Sequence, residues 1–181
     1  MIRTIEGDKK IEELLVGDRL PTFFGGEAPI NVDLKTGKQT QFNGLNNGFF
    51  GSGFVNGLAV DSTTGIAATT TELNAQVEFY NLANHTGTFA QLPCTGNTSQ
   101  LSSGFGIAND SVNGLFLVAE PLYCSGSDGS AIVVYDEKAN EVEAITGFKF
   151  PQGVGPPVID PSKRMGWAFG PGANQLQQFF Y

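Results

Sequence analysis

One pattern returns along the chain, and it restricts the fold more than any other feature. The segment NGLAVDSTTGIAATTTELNAQVEFYNLANHTGTFAQLP, 56–93, is followed by GFGIANDSVNGLFLVAEPLYCSGSDGSAIVVYDEKANEVEAITGF, 104–148. Gly57, Asp61 and Gly65 return at one constant spacing as Gly106, Asp110 and Gly114. Tyr80 returns as Tyr135 at a longer spacing, which places an insertion in the loop around Cys124. A third copy opens at GPPVIDPSKRMGWAFG, with Asp160 in the place of Asp110, and closes on NQLQQFFY. The start of the chain follows the template less closely. There ELLVGDRLPTFFGGEAPINVDLKTGKQTQF parallels LFLVAEPLYCSGSDGSAIVVYDEKANEVEAI, with Val16 at the place of Val118 and Asp33 at that of Asp136. A period of roughly 40–50 residues divides the chain into about four units, 1–47, 48–95, 96–152 and 153–181, all in one domain.

Each unit reads as four short strands. In the second unit these are 58–60, 66–71, 77–80 and 88–92, separated by turns rich in Asp, Ser, Thr, Asn and Gly. Short strands bounded by such turns, recurring at this period, predict an all-β fold: a β-propeller or a propeller segment of four-stranded antiparallel blades. The innermost strand of a blade has little room, which suits the Gly and Ala of GLAVD and GFGIAND. The chain has 15 Phe, and aromatic side chains fill the wedge that widens outward between blades.

Composition removes several function classes. Lys+Arg is 10 against 18 Asp+Glu, a net charge of −8. That argues against nucleic acid or an anionic membrane surface as partner, since both select basic patches. No apolar run approaches the ~18–20 residues of a membrane span. Low charge and a surface rich in Thr, Asn and Gly point to an extracellular or periplasmic protein. No signal peptide is visible, because Met1-Ile2-Arg3-Thr4 leads directly into charged residues, so the expected form is mature or trimmed. Asn84, Asn97 and Asn109 open Asn-x-Ser/Thr sequons, a number that chance supplies in so polar a chain.

NGLAVDSTTG, followed by a strand and NAQVEFYNL, resembles an NHL-type blade. Six-bladed propellers of the gluconolactonase and strictosidine-synthase type are similar in their blade openings. The likeness spans most of 11–181 as a loose blade pattern, and it implies a fold rather than an activity. TIEGDKKIEELLVGDRL also resembles the opening of a Hint domain. It lacks that domain's initial Cys or Ser nucleophile, and the blade alignment through NVDLKTGK accounts for it better.

The gluconolactonase resemblance implies one metal ligand. Asn56, before Gly57, stands where an Asn of that group holds a divalent metal on the axis, a hard cation such as Ca²⁺. The matching carboxylates are missing: Glu120 and Asp18 fall after second strands, and Gln152 is no carboxylate. As a turn residue Asn56 needs no metal. Asp61, Asp110 and Asp160 recur in every full copy, as do Asp33, Asn81 and Asp136 at the third turn of each unit. Recurrence of this kind marks a structural device, a side chain accepting backbone N–H groups of its own turn. His85 reads as a solvated turn residue and Trp167 as wedge core.

Two cysteines, Cys94 and Cys124, form no metal motif. They lie on loops of the same face of one blade, so a disulfide between them is expected, in keeping with an oxidising compartment. The long loops 21–29, 93–104 and 120–129 open on that face. Phe23, Phe24 and Tyr123 are its candidate binding aromatics, with folding back over the wedge as the alternative.

These readings favour a binding propeller that engages a protein or glycan, without catalytic residues or cofactor. The alternative is a metal-dependent lactonase or esterase. The last unit stops at what looks like its third strand, 179–181. The ring is then completed by Met1 to Ile5, by a second copy as a homo-oligomer, or by blades of another chain, and the last two are favoured.

Overall fold

A computed structural model describes residues 3–4, 7–8, 13–17, 29–33, 35–41, 55–71, 76–91, 106–120, 130–150, 153–170 and 174–181. After a hairpin of β1 (Arg3–Thr4) and β2 (Gly7–Asp8), the described strands form antiparallel sheets in strict chain order. The first sheet holds β3 (Glu13–Gly17), β4 (Pro29–Asp33) and β5 (Gln39–Gln41). The second holds β6 (Val55–Asp61), β7 (Ile66–Thr71), β8 (Gln76–Asn81) and β9 (Thr86–Gln91). The third holds β10 (Ile107–Asp110), β11 (Leu115–Glu120), β12 (Ala131–Asp136) and β13 (Glu141–Ile145). The last holds β14 (Val158–Asp160), β15 (Met165–Gly170) and β16 (Gln175–Phe180).

The turns explain where these strands stop. Each begins at an Asx residue and closes on a residue of positive φ: Asp33 to Gly37 (70°), Asp61 to Gly65 (72°) and Asp110 to Gly114 (66°). Asn81 leads in the same way to His85 (59°), Asp136 to Ala139 (66°) and Asp160 to Arg164 (48°). Glycine reaches this region without strain; the other residues are held there by the turn around them. His85 is thus a half-buried left-handed turn residue rather than a solvated one. The turn also moves β9 to Thr86–Gln91, ahead of the 88–92 expected.

Side-chain alternation builds the core. Residues of β11 and of β12 are buried on both faces, apart from Asp136 at the end of β12. One set, Phe116, Val118, Ala131, Val133 and Tyr135, packs on Ala68, Val77 and Phe79 of the second sheet. The other, Leu115, Leu117, Ala119, Ile132 and Val134, packs on Phe148, Phe150, Ala168, Phe179 and Tyr181. Rings meet edge-on across both junctions' aromatic sets, Phe79 to Phe116 at 5.6 Å and Phe148 to Phe179 at 5.9 Å. Each fully buried side chain of this kind contributes about 1.5–3 kcal/mol of hydrophobic stabilisation. The outer strands β9 and β13 are mostly exposed.

First strands of successive sheets lie against one another, β6 on β10 and β10 on β14. Here the expected crowding is seen. A Cβ on Gly57 would stand 2.9 Å from Gly106 Cα, and one on Gly106 would stand 2.4 Å from Pro156 Cγ. The N-terminal strand β1 pairs with β2, and among the described residues no strand beyond β16 joins the last sheet.

Candidate functional site

Antiparallel order sends the connections of each sheet to two opposite faces. First-to-second and third-to-fourth connections form one, the turn face; second-to-third and sheet-to-sheet connections form the other, the loop face.

The turn face is organised by its Asx residues. Asp33 Oδ1 accepts from Lys35 N (2.8 Å) and Thr36 N (3.2 Å). Asp61 Oδ1 accepts from Thr63 N and Thr64 N, and Asn81 Oδ1 from Ala83 N and Asn84 N. Asp110 Oδ1 takes Val112 N and Asn113 N, while Asp136 Oδ1 takes Lys138 N and Asn140 N. Asp160 accepts from Ser162 Oγ at 2.6 Å and pairs with Lys163 Nζ at 3.0 Å. Hydrogen bonds from Thr36 and Lys35 hold the Asp33 carboxyl below its usual range, and those from Ser162 and Lys163 do the same for Asp160. For Asp136, desolvation pushes upward, but the bonds from Asn140 and Lys138 prevail and the value is lowered. These carboxylates are turn parts, as their recurrence indicated.

Their second oxygens do something the sequence did not reveal. Asp61 Oδ2 accepts from Asn109 Nδ2 of the third sheet (3.4 Å), and Asp110 Oδ2 accepts from Tyr181 Oη of the last (3.0 Å). The same acidic position therefore caps its own turn and receives a donor from the next sheet. Thr64 Oγ1 adds a bond to Glu137 Oε1 at 2.5 Å. Asn109, which opens a sequon, is tied down by this contact and by a bond to Leu115 O at 3.3 Å. Asn84 is exposed in its turn.

A buried polar pair lies on the side of the second sheet that faces away from the third. Glu78 is 2% exposed; Tyr80 Oη donates to Glu78 Oε2, and Thr69 Oγ1 reaches the same oxygen at 3.4 Å. Burial pushes the Glu78 carboxyl above its ordinary value, against those two hydrogen bonds, and burial also raises Tyr80. The sign of this pair in the sequence is a Glu between the apolar Val77 and the aromatic Phe79 and Tyr80.

Phe23, Phe24, Cys94, Tyr123 and Cys124 lie outside the described residues. Asn56 lies within β6, where the register with β7 slips between Val55 and Gly57. It is the extra residue of a bulge, a feature over-represented beside active sites. Glu120 ends β11 on the loop face, fully buried and opposite Ala131, within the strand rather than after it. Trp167, at the centre of β15, is half-buried on the side of the last sheet turned away from the third. Among the described residues no group of three or more His, Cys, Asp or Glu is placed to hold a metal ion. Among them also no helix is long and apolar enough to cross a membrane.

Successive antiparallel sheets of three and four strands, in which the first strands of neighbours lie against one another, can be compared with solved structures. The chain is similar to one in the crystal structure of a nidogen/laminin complex, at 15% identity and a TM-score of 0.54, covering 92% of this chain and 55% of that one. The chain folds as a β-propeller or a segment of one. Hydrazine synthase of Kuenenia stuttgartiensis is similar at 16% identity and a TM-score of 0.59, with 84% of this chain and 40% of that chain covered. The extracellular domain of a one-component system from B. thetaiotaomicron is similar at 15% identity and a TM-score of 0.57, covering 99% and 21%. This propeller chain spans about half, or less, of the length of each. No family model matches it, and no curated protein matches it.

Proposed function

We propose that the chain is part of an extracellular binding propeller that engages a protein or a glycan through its loop face. One observation carries this reading: the recurring carboxylates are spent on turns and on contacts between sheets, all on the turn face. The long connections, 18–28, 42–54, 92–105 and 121–129, all leave from the opposite face, and such loops are where propellers place recognition. The extracellular domain of a one-component system among the similar structures supports an extracellular setting. In that setting Cys94 and Cys124 form a disulfide, which alkylation of unreduced protein followed by mass spectrometry reads directly.

Arrays of glycans and of extracellular protein domains test the binding. A ligand captured by the wild type and lost in the Phe23→Ser, Phe24→Ser, Tyr123→Ser variant places recognition on the loop face. A ligand kept by that variant and lost in a Lys35→Glu, Lys138→Glu variant places it on the turn face and overturns the reading.

The bulge at Asn56 favours one second reading, a divalent-cation-dependent hydrolase of lactones or esters. Saturating Ca²⁺ then raises the thermal midpoint, by about 2.7 kcal/mol of stability at 100 times the dissociation constant, and Asn56→Ala abolishes the rise. A midpoint that stays fixed at millimolar Ca²⁺ removes this reading.

A further inference from the structure

Of the three Asn-x-Ser/Thr sequons, Asn84 and Asn109 lie among the described residues and Asn97 lies outside them. Asn84 and Thr86 flank His85 where β8 turns into β9, and both are exposed. His85 closes this turn in the left-handed region, at a φ of 59°. The side chain of Asn84 accepts twice there through Oδ1, from Thr86 N at 3.1 Å and from Thr86 Oγ1 at 2.6 Å. Neither bond uses Nδ2, the nitrogen to which an N-linked glycan is joined. A sugar on Nδ2 therefore leaves the carbonyl oxygen and both of its bonds intact, and it projects from an exposed turn.

Asn109 is placed in the opposite way. It lies half-buried in β10, and its Nδ2 donates to Asp61 Oδ2 at 3.4 Å and to Leu115 O at 3.3 Å. A glycan would take the place of one of these amide hydrogens. It would also have to stand between β6 and β10, which approach so closely that a Cβ on Gly57 would lie 3.1 Å from Ile107 N.

We propose that Asn84 is an acceptor site for an N-linked glycan and that Asn109 is not. The donor class is an oligosaccharide held through its anomeric carbon on a lipid pyrophosphate. Asn84 Nδ2 forms a bond to that carbon as the carbon's bond to the pyrophosphate oxygen breaks. The lipid pyrophosphate leaves with the electron pair, and one amide proton passes to a base of the transferase. The setting rests on the extracellular reading above, because this modification is made on exported chains. Asn84 belongs to a third-to-fourth connection, so its glycan stands on the turn face and leaves the loop face free to bind. It also stands at the head of β9, the outer strand of its sheet, where bulk discourages pairing with a strand of another chain.

The full chain, directed into the secretory pathway of cultured mammalian cells by a cleavable leader, tests it. Peptide-N-glycosidase converts each glycosylated Asn of the secreted protein to Asp, and peptide mass mapping reads the sites one by one. Asn84 is expected as Asp in most molecules and Asn109 as Asn. Thr86→Ala is expected to abolish the conversion at Asn84, and Thr86→Ser to keep it, both with the β-sheet circular dichroism spectrum of the wild type. An unconverted Asn84 in the wild type, a conversion that survives Thr86→Ala, or a converted Asn109 in the folded secreted protein overturns the proposal. Translation in the presence of microsomes reads Asn84 without any need for secretion, and an Asn84 left bare there overturns it equally. A chain found inside the cell that makes it defeats the extracellular reading and leaves the acceptor result standing, so the two failures are told apart.

Discussion

The hydroxyl of Tyr181 donates to the buried carboxylate of Asp110 at 3.0 Å, across the junction between the last two sheets. The ring of Tyr181 also packs near Phe179 and lies 5.7 Å from the Arg164 guanidinium. The residue is 8% exposed, and burial followed by the bond to Asp110 raises its phenol pKa. Tyr181→Phe keeps the ring and removes the donor. It is expected to lower stability by about 1–3 kcal/mol, the cost of a lost buried hydrogen bond, measured by urea denaturation. An unchanged midpoint would show that the junction stands on packing alone.

Backbone contact between inner strands predicts a ranking of two glycines. Gly106 has a φ of +153°, and a Cβ there would meet Pro156 at 2.4 Å; Gly65 has a φ of +72° with nothing within 4 Å. Gly65→Ala carries only the left-handed penalty of about 1–2 kcal/mol. Gly106→Ala adds overpacking of about 1–3 kcal/mol. Thermal unfolding of both variants gives the order, and equal losses would contradict the crowding of β10 against the chain ahead of β14.

In the turn itself Asp136 serves first as an acceptor, because Asn81 does the same work as its acidic counterparts. Asp136→Asn is therefore expected within about 0.5 kcal/mol of wild type. Asp136→Ala, which strands Lys138 N and Asn140 N, is expected to cost about 0.5–2 kcal/mol, by analogy with helix caps. Parallel chemical denaturation separates them; a loss in the Asn variant equal to that in Ala would mean that charge is required.

Glu78 and the turn aspartates impose opposite pH slopes. The folded Glu78 holds its proton above the ordinary value of 4.5. Between that value and its raised one the folded state binds more protons than the unfolded state, so stability falls as pH rises through the window. Asp33, Asp136 and Asp160 are lowered from 3.8, so their contribution is present above 3.8 and lost as pH falls through the lowered values. Glu78→Gln is expected to abolish the fall above pH 4.5 and leave the acid limb intact. A variant whose stability curve parallels the wild type at all pH values would remove Glu78 from this account.

Local punctuation made the strands legible. Ile66–Thr71 is bounded on one side by the Asp61 to Gly65 turn, and the second-unit strands lie within two or three residues of their expected bounds. The turn role of Asp61, Asp110 and Asp136 was legible for the same reason: the partner N–H groups are a few residues away. Asn109 with Asp61, and Tyr181 with Asp110, were not, because the partners come from different sheets and no local pattern marks them. The sequence reads His85 as solvated because glycine fills the same turn slot in three other turns, and nothing in the histidine's own neighbourhood signals left-handed backbone. Of the candidate site, Asn56 gained a bulge, while Phe23, Phe24, Tyr123, Cys94 and Cys124 lie outside the described residues.

Asp61 and Asp110 each take an outside donor from the next sheet along the chain, and the two described cores lie between neighbours in sequence. Both described junctions are thus complete in the two units that flank them. A gene segment encoding one whole unit can be duplicated or deleted, and the new neighbours meet through an acceptor and a donor face already made for each other. Within such an architecture the number of blades is free to change in evolution by whole steps, while substitutions inside a junction must come in pairs.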